Sequence, residues 1–121
     1  YFTGKLSREE VAKFLSISSV FVLPSLKEGM PIALLEAMSS GNAVIVSDIP
    51  GINEVIHDGY NGIRVPPKNP NRLAEAILGL LSNSSKTKEL ANNARKTVLK
   101  KYSWENVIKL LEGLYNKTLA S

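Results

Sequence analysis

The segment Leu23–Gly41 reads LPSLKEGMPIALLEAMSSG and changes structural period part of the way along. Just before and into it, Val20 to Leu23 is an uninterrupted apolar run that Pro24 and Ser25 end. A polar loop then carries Glu28 and Gly29 to a second proline, Pro31. From Pro31 onward Ile32, Leu34, Leu35 and Met38 recur at helical spacing, and Pro31 suits a first helical turn because its missing N–H would have had no intrahelical partner. The segment therefore reads as strand, tight loop, helix. That order aims the first backbone N–H groups of the helix, with their partial positive charge, at whatever lies above the carboxyl end of the strand. Such an arrangement accommodates an anion.

Glu28 and Glu36 bracket this helix start with seven residues between them. The helix entrance favours an anionic ligand such as a phosphate, whereas the carboxylates repel one at close range and accept hydrogen bonds from hydroxyls. A sugar joined through a diphosphate to a ribonucleoside satisfies both demands.

The rest of the chain fits an α/β domain. Tyr1 to Thr3 reads as the tail of a strand, so further chain is expected upstream, and Gly4 allows a close turn over the sheet edge. Ser7 with Glu10 makes a capping box for a helix whose buried stripe is Val11, Phe14 and Leu15. Ser19 to Leu23 has the composition of a strand covered on both faces. Gly41 with Asn42 supplies a left-handed stop, and Ala43 to Val46 is a second buried strand. Strand, helix and strand within about thirty residues indicate a parallel crossover.

After Ser47, Asp48, Pro50 and Gly51, a short helix is expected around Glu54, Val55 and Ile56. Asp48 and Glu54 lie near the edge where ligands of open α/β sheets bind, although capping is the simpler role for both. His57, the only histidine, reads as a solvated helix end beside Asp58 and Gly59. Asn61-Gly62 marks a turn before a short strand, Ile63 to Val65, that Pro66-Pro67 closes. One helix after Asn71 carries Leu73, Ile77, Leu80 and Leu81. The next, from Ser84 or Ser85 to Tyr102, carries Leu90, Ala91, Ala94, Val98 and Leu99. Ser103 caps a last helix with Val107, Leu110, Leu111 and Leu114 as its apolar stripe.

With 121 residues, 44% of them hydrophobic, the chain is long enough for one domain. No apolar run approaches the roughly 18 residues that a membrane span requires. The absence of cysteine excludes disulfides and thiolate metal sites and agrees with a reducing compartment. The net charge of +4 is unevenly placed: residues 1–60 hold four basic and seven acidic side chains, residues 61–121 eleven basic and four acidic. The basic residues Lys86, Lys88, Arg95, Lys96, Lys100 and Lys101 lie on helical segments without interleaved aromatic side chains, which argues against nucleic acid.

Taken together, Glu28, seven residues, Glu36, then Ala37, Met38 and Gly41, resemble the EX7E signature of the retaining GT-B glycosyltransferases, in the group that contains glycogen and sucrose synthases. The similarity runs from Phe2 to Trp104, through FTG, the strand ending in PS, EG, EAMSSG, AVIVSD, GINEVI, DGYNGIRVPP and YSWEN. The resemblance implies a Rossmann-like parallel sheet flanked by helices, the C-terminal half of a GT-B fold. Residues 1–102 would form its core, and residues 103–119 a terminal helix that crosses to an amino-terminal domain absent from this chain.

The resemblance also implies the chemistry: transfer of a sugar from a nucleotide diphosphate sugar to an acceptor hydroxyl, with retention. Gly4, Lys5 and Leu6 would meet the base. Glu28 would hold hydroxyls of the transferred sugar as the catalytic carboxylate, and Glu36 the ribose hydroxyls. The backbone from Gly29 through Met30 and Pro31 to Ile32 would meet the sugar and phosphate. No metal or cofactor beyond the donor is implied. The basic groups that grip the diphosphate would lie upstream, so the isolated chain is expected to bind nucleotide weakly and to be inactive. A glycan or lipid-linked acceptor, a cytoplasmic location at the inner membrane face, peripheral membrane contact and self-association through residues 103–119 complete the expectations. A GT-B epimerase and a noncatalytic interaction domain are the alternatives.

Overall fold

The computed structural model describes residues 7–24 and 32–101. Its elements are α1 (Arg8–Ile17), β1 (Val20–Leu23), α2 (Ile32–Ser39), β2 (Ala43–Ser47), β3 (Ile63–Val65), α3 (Pro70–Leu81) and α4 (Ser84–Lys101). The expected strand over Tyr1 to Thr3, the closure at Tyr102 and the terminal helix lie outside the described residues.

Local signals set the helix starts. The Ser7 side chain accepts from the Glu10 backbone N–H at 3.2 Å, and Glu10 accepts from the Ser7 N–H at 3.1 Å, which completes the capping box. α3 begins two residues earlier than Asn71 suggests: Asn69 is its N-cap, accepting from the Arg72 N–H at 3.1 Å, and Pro70 takes the first turn. Gly41 ends the α2 segment at φ 81, a conformation that glycine adopts without strain.

The three strands are parallel in the order β1-β2-β3. Val20 pairs with Ala43 and Leu23 with Val46 on one side of β2, while Ile45 pairs with Ile63 and Ser47 with Val65 on the other. β2 is buried along its whole length because it is flanked by strands and covered on both faces. β1 packs on both faces, as its composition indicates, yet remains half-buried because it is the edge strand of the described sheet.

Two hydrophobic clusters lie on opposite faces. Leu34, Leu35, Ala37 and Met38 of α2 pack with Val44, Val46 and Leu15 on one side; Ala43, Ile45 and Val65 pack with Leu80 of α3 on the other. Each fully buried Leu or Met stabilises the fold by about 1.5–3 kcal/mol. The β2–β3 connection is not the expected short helix. It is a series of turns that buries Ile49, Ile52, Val55 and Ile56; the helix-like bond from the Ile56 N–H to the Ile52 carbonyl at 2.9 Å is not continued because the His57 N–H donates to Asn61 Oδ1 at 2.8 Å.

α4 closes the amino edge of the sheet. Its Leu90 belongs to the α3-side cluster and its Ala94 and Val98 to the α2-side cluster, so it passes from one face to the other. Polar contacts fix that crossing to the turn before β3: Lys86 Nζ donates to the Gly59 carbonyl at 3.2 Å and Asn93 Nδ2 to the Tyr60 carbonyl at 2.9 Å.

Three apolar positions depart from the stripe read in the sequence. Phe14 is 45% exposed and Leu81 65%, each at the margin of its helix's buried arc, whereas Leu99, 63% exposed, lies outside that arc on the outward face of α4. Periodicity identifies an amphipathic helix but not the width of the partner that covers it.

Candidate functional site

The site begins with the direction of α2. Its carboxyl end leads through Gly41 and Asn42 into the start of β2, so its amino end lies toward the carboxyl edge of the sheet. That edge is left uncovered by the described helices, because α4 occupies the opposite one. In open α/β sheets the carboxyl edge is where ligands bind.

Ile32 is the first residue of α2 and is half-buried. Glu36 lies about 6 Å further along the axis. It falls on the outward stripe with exposed Ala33 and Ser40, and is itself half-buried between that stripe and the packed face. The Glu36 carbonyl accepts from the Ser40 N–H at 3.1 Å and from the Ser39 and Ser40 hydroxyls at 3.0 and 2.9 Å. All three bonds converge on that one carbonyl in the last turn of α2 and hold the helix end that carries Glu36. Gly4, Lys5, Leu6, Glu28, Gly29, Met30 and Pro31 lie outside the described residues; Ile32 and Glu36 are the site residues placed.

At the carboxyl edge a cavity of about 320 Å³ is lined by Pro24 after β1, Ser47 at the end of β2, Val65 and Pro66 at the end of β3, and Lys68, Asn69 and Leu73 of the α3 entrance. Sequence reading did not assign Lys68 or Asn69 to this edge. The signal was there in Pro-Pro-Lys-Asn-Pro, in which a turn places Lys68 at φ 56 and delivers Asn69 to the helix cap.

Asp48 approaches the same edge. Its carboxylate is 3.8 Å from the Arg64 guanidinium, an ion pair with both side chains partly exposed, rather than a cap. At that exposure the pair contributes at most about 1 kcal/mol. Arg64 Nε is buried without a hydrogen-bond partner, and the Arg64 N–H donates to Asp58 at 2.9 Å. Glu54 is exposed in the turns after β2. His57 is exposed, as expected, but follows turns rather than ending a helix, and its N–H donates to Asn61 Oδ1 at 2.8 Å. Among the described residues, no three His, Asp or Glu side chains converge as metal ligands.

A second cavity, about 270 Å³, opens at the amino edge between Ser18, Gly41, Leu81, Thr87 and Lys88. It lies at the end of the sheet away from the α2 entrance.

The comparisons with known proteins agree with this geometry. The family model for Glycosyl transferases group 1 matches residues 1–97. The chain is 38% identical over 114 residues to an uncharacterized glycosyltransferase of Methanocaldococcus jannaschii, covering 94% of this chain and 29% of that protein. It superposes on sucrose-phosphate synthase from Thermosynechococcus elongatus with a TM-score of 0.84 and 31% identity, covering 99% of this chain and 30% of the synthase. It is also similar to a point mutant of S. aureus TarM, solved in complex with Fondaparinux, alpha-GlcNAc-glycerol and UDP, with a TM-score of 0.75 and 32% identity over 88% of this chain and 22% of TarM. The chain spans about three-tenths of the length of the curated relatives it matches. A parallel sheet flanked by helices, matched over nearly its whole length by these structures, is the Rossmann-like fold of the C-terminal GT-B domain. The chain belongs to the group 1 glycosyl transferases.

Proposed function

We propose that this chain is the donor-binding half of a retaining glycosyltransferase, which moves a sugar from a nucleotide diphosphate sugar to an acceptor hydroxyl. The observation that carries this reading is the direction of α2: it starts at the uncovered carboxyl edge and holds Glu36 half-buried just behind its entrance. The UDP present in the TarM complex supports a nucleoside diphosphate as the ligand class.

In this reading the amino end of α2 meets the phosphate end of the donor and stabilises the leaving diphosphate, where charge develops in the transition state. Glu36 accepts hydrogen bonds from the ribose hydroxyls, and Glu28 from hydroxyls of the transferred sugar. Gly4, Lys5 and Leu6 meet the base, and Gly29, Met30 and Pro31 supply backbone contacts. The further diphosphate ligands come from an upstream segment and the acceptor site mainly from the other domain, so the isolated chain binds nucleotide weakly and transfers nothing.

The test is a titration of the chain with UDP, GDP and ADP and their glucose conjugates, followed by amide chemical shifts. One nucleotide series should perturb Ile32 to Glu36 and the Ser47–Asp48 turn. Glu36→Gln should weaken its binding roughly ten- to a hundredfold, the worth of a charged hydrogen bond. Perturbations confined to the amino-edge cavity, or none with any nucleotide, would overturn the assignment, as would turnover by this chain alone.

A further inference from the structure

Four of the eleven basic residues in the second half of the chain share one outward face of α4. Between Pro70 and Lys101 there are seven basic and two acidic residues. Both acids sit beside a basic neighbour within their own helix: Glu75 is 3.8 Å from Arg72 and Glu89 3.7 Å from Lys86. Lys88, Arg95, Lys96 and Lys100 are all exposed, and at 3.6 residues per turn they fall with Leu99 inside an outward arc of about 140°. The stripe runs about 18 Å along α4. Leu99 lies within it, 63% exposed.

We infer that this face of α4 is a docking surface for an anionic lipid bilayer. Four cations on one side of a helix match a negatively charged sheet of headgroups, each adding roughly fivefold to partitioning at the surface. Leu99, inside the stripe, supplies an apolar side chain that enters the headgroup boundary as the charges settle on it. A nucleic acid meets the same charges but gives Leu99 nothing to insert into, and residues 70–101 contain no aromatic side chain on which bases could stack. Because α4 covers the amino edge, a bilayer on its outer face leaves the carboxyl edge turned toward the aqueous side.

Sedimentation of the chain with phosphatidylcholine vesicles containing phosphatidylglycerol, against phosphatidylcholine alone, tests this. Binding should require the anionic lipid and weaken as salt is raised. The combined variant K88Q, R95Q, K96Q and K100Q should lower it on the order of several hundredfold. Leu99→Ser should lower it about tenfold while preserving the far-ultraviolet circular dichroism. Equal binding to both vesicle types, or to neither, would overturn the inference. So would an unchanged affinity of Leu99→Ser, or tighter binding to a single-stranded oligonucleotide than to the anionic vesicles at the same salt. None of these outcomes depends on a nucleotide occupying the carboxyl edge.

Discussion

Asn61 is fully buried and uses its amide on both sides. Its Oδ1 accepts from the His57 N–H at 2.8 Å, and its Nδ2 donates to the Val55 carbonyl at 3.0 Å and to Thr97 Oγ1 at 3.1 Å, tying the β2–β3 connection to α4. Asn61→Ala strands those partners and should cost about 3 kcal/mol in denaturant unfolding. Gly62 beside it has no room for a methyl: an added Cβ would lie 2.8 Å from Val44 Cγ2 and 2.9 Å from Ile56 Cγ2. Gly62→Ala should therefore cost about 1–3 kcal/mol by the same measurement. Glu36→Gln, by contrast, should alter stability by less than about 0.5 kcal/mol, so that a loss of nucleotide binding can be separated from unfolding. The sequence announces Asn-Gly only as a turn. Nothing local to it reveals that the asparagine faces inward, because its third partner, Thr97, lies 36 residues away.

At the level of elements, the signals that read well were those satisfied within a few residues. The Ser7–Glu10 box, the glycine stop at Gly41 and the apolar runs of β1, β2 and β3 all appear where their residues put them. Those that failed depend on distant chain. The turns at 50–55 replace a helix because four apolar side chains are drawn into the α2-side cluster around Gly51. Phe14 and Leu81 are exposed because no described element reaches the margin of their stripes, and Leu99 because it falls on the outward face of α4, opposite Leu90, Ala94 and Val98. Of the candidate site, the run from strand to helix was legible as a period change, and the structure places its Ile32 and Glu36 end. The cavity wall contributed by Lys68 and Asn69 was not, since only folding brings residues after β3 beside Pro24. Asn69→Ala should remove the α3 cap and lower stability by about 1 kcal/mol, measurable by thermal unfolding.

For the whole molecule, the two clusters are separated by the sheet and bridged by α4. Leu90 is fully buried, so Leu90→Ala should cost about 2–5 kcal/mol. If the bridge couples the faces, hydrogen exchange in that variant should accelerate together at Val44 and Val46 on one side and at Leu80 on the other. Acceleration confined to the α3 side would show that the faces open separately.

The passage of α4 beneath the sheet also sets the order of events during synthesis. Every described strand and α2 are complete by Val65, yet the helix that seals their lower end finishes only at Lys101. A ribosome must therefore release some 36 further residues before the nascent sheet loses its open apolar floor, and until then that floor is the surface a chaperone would hold.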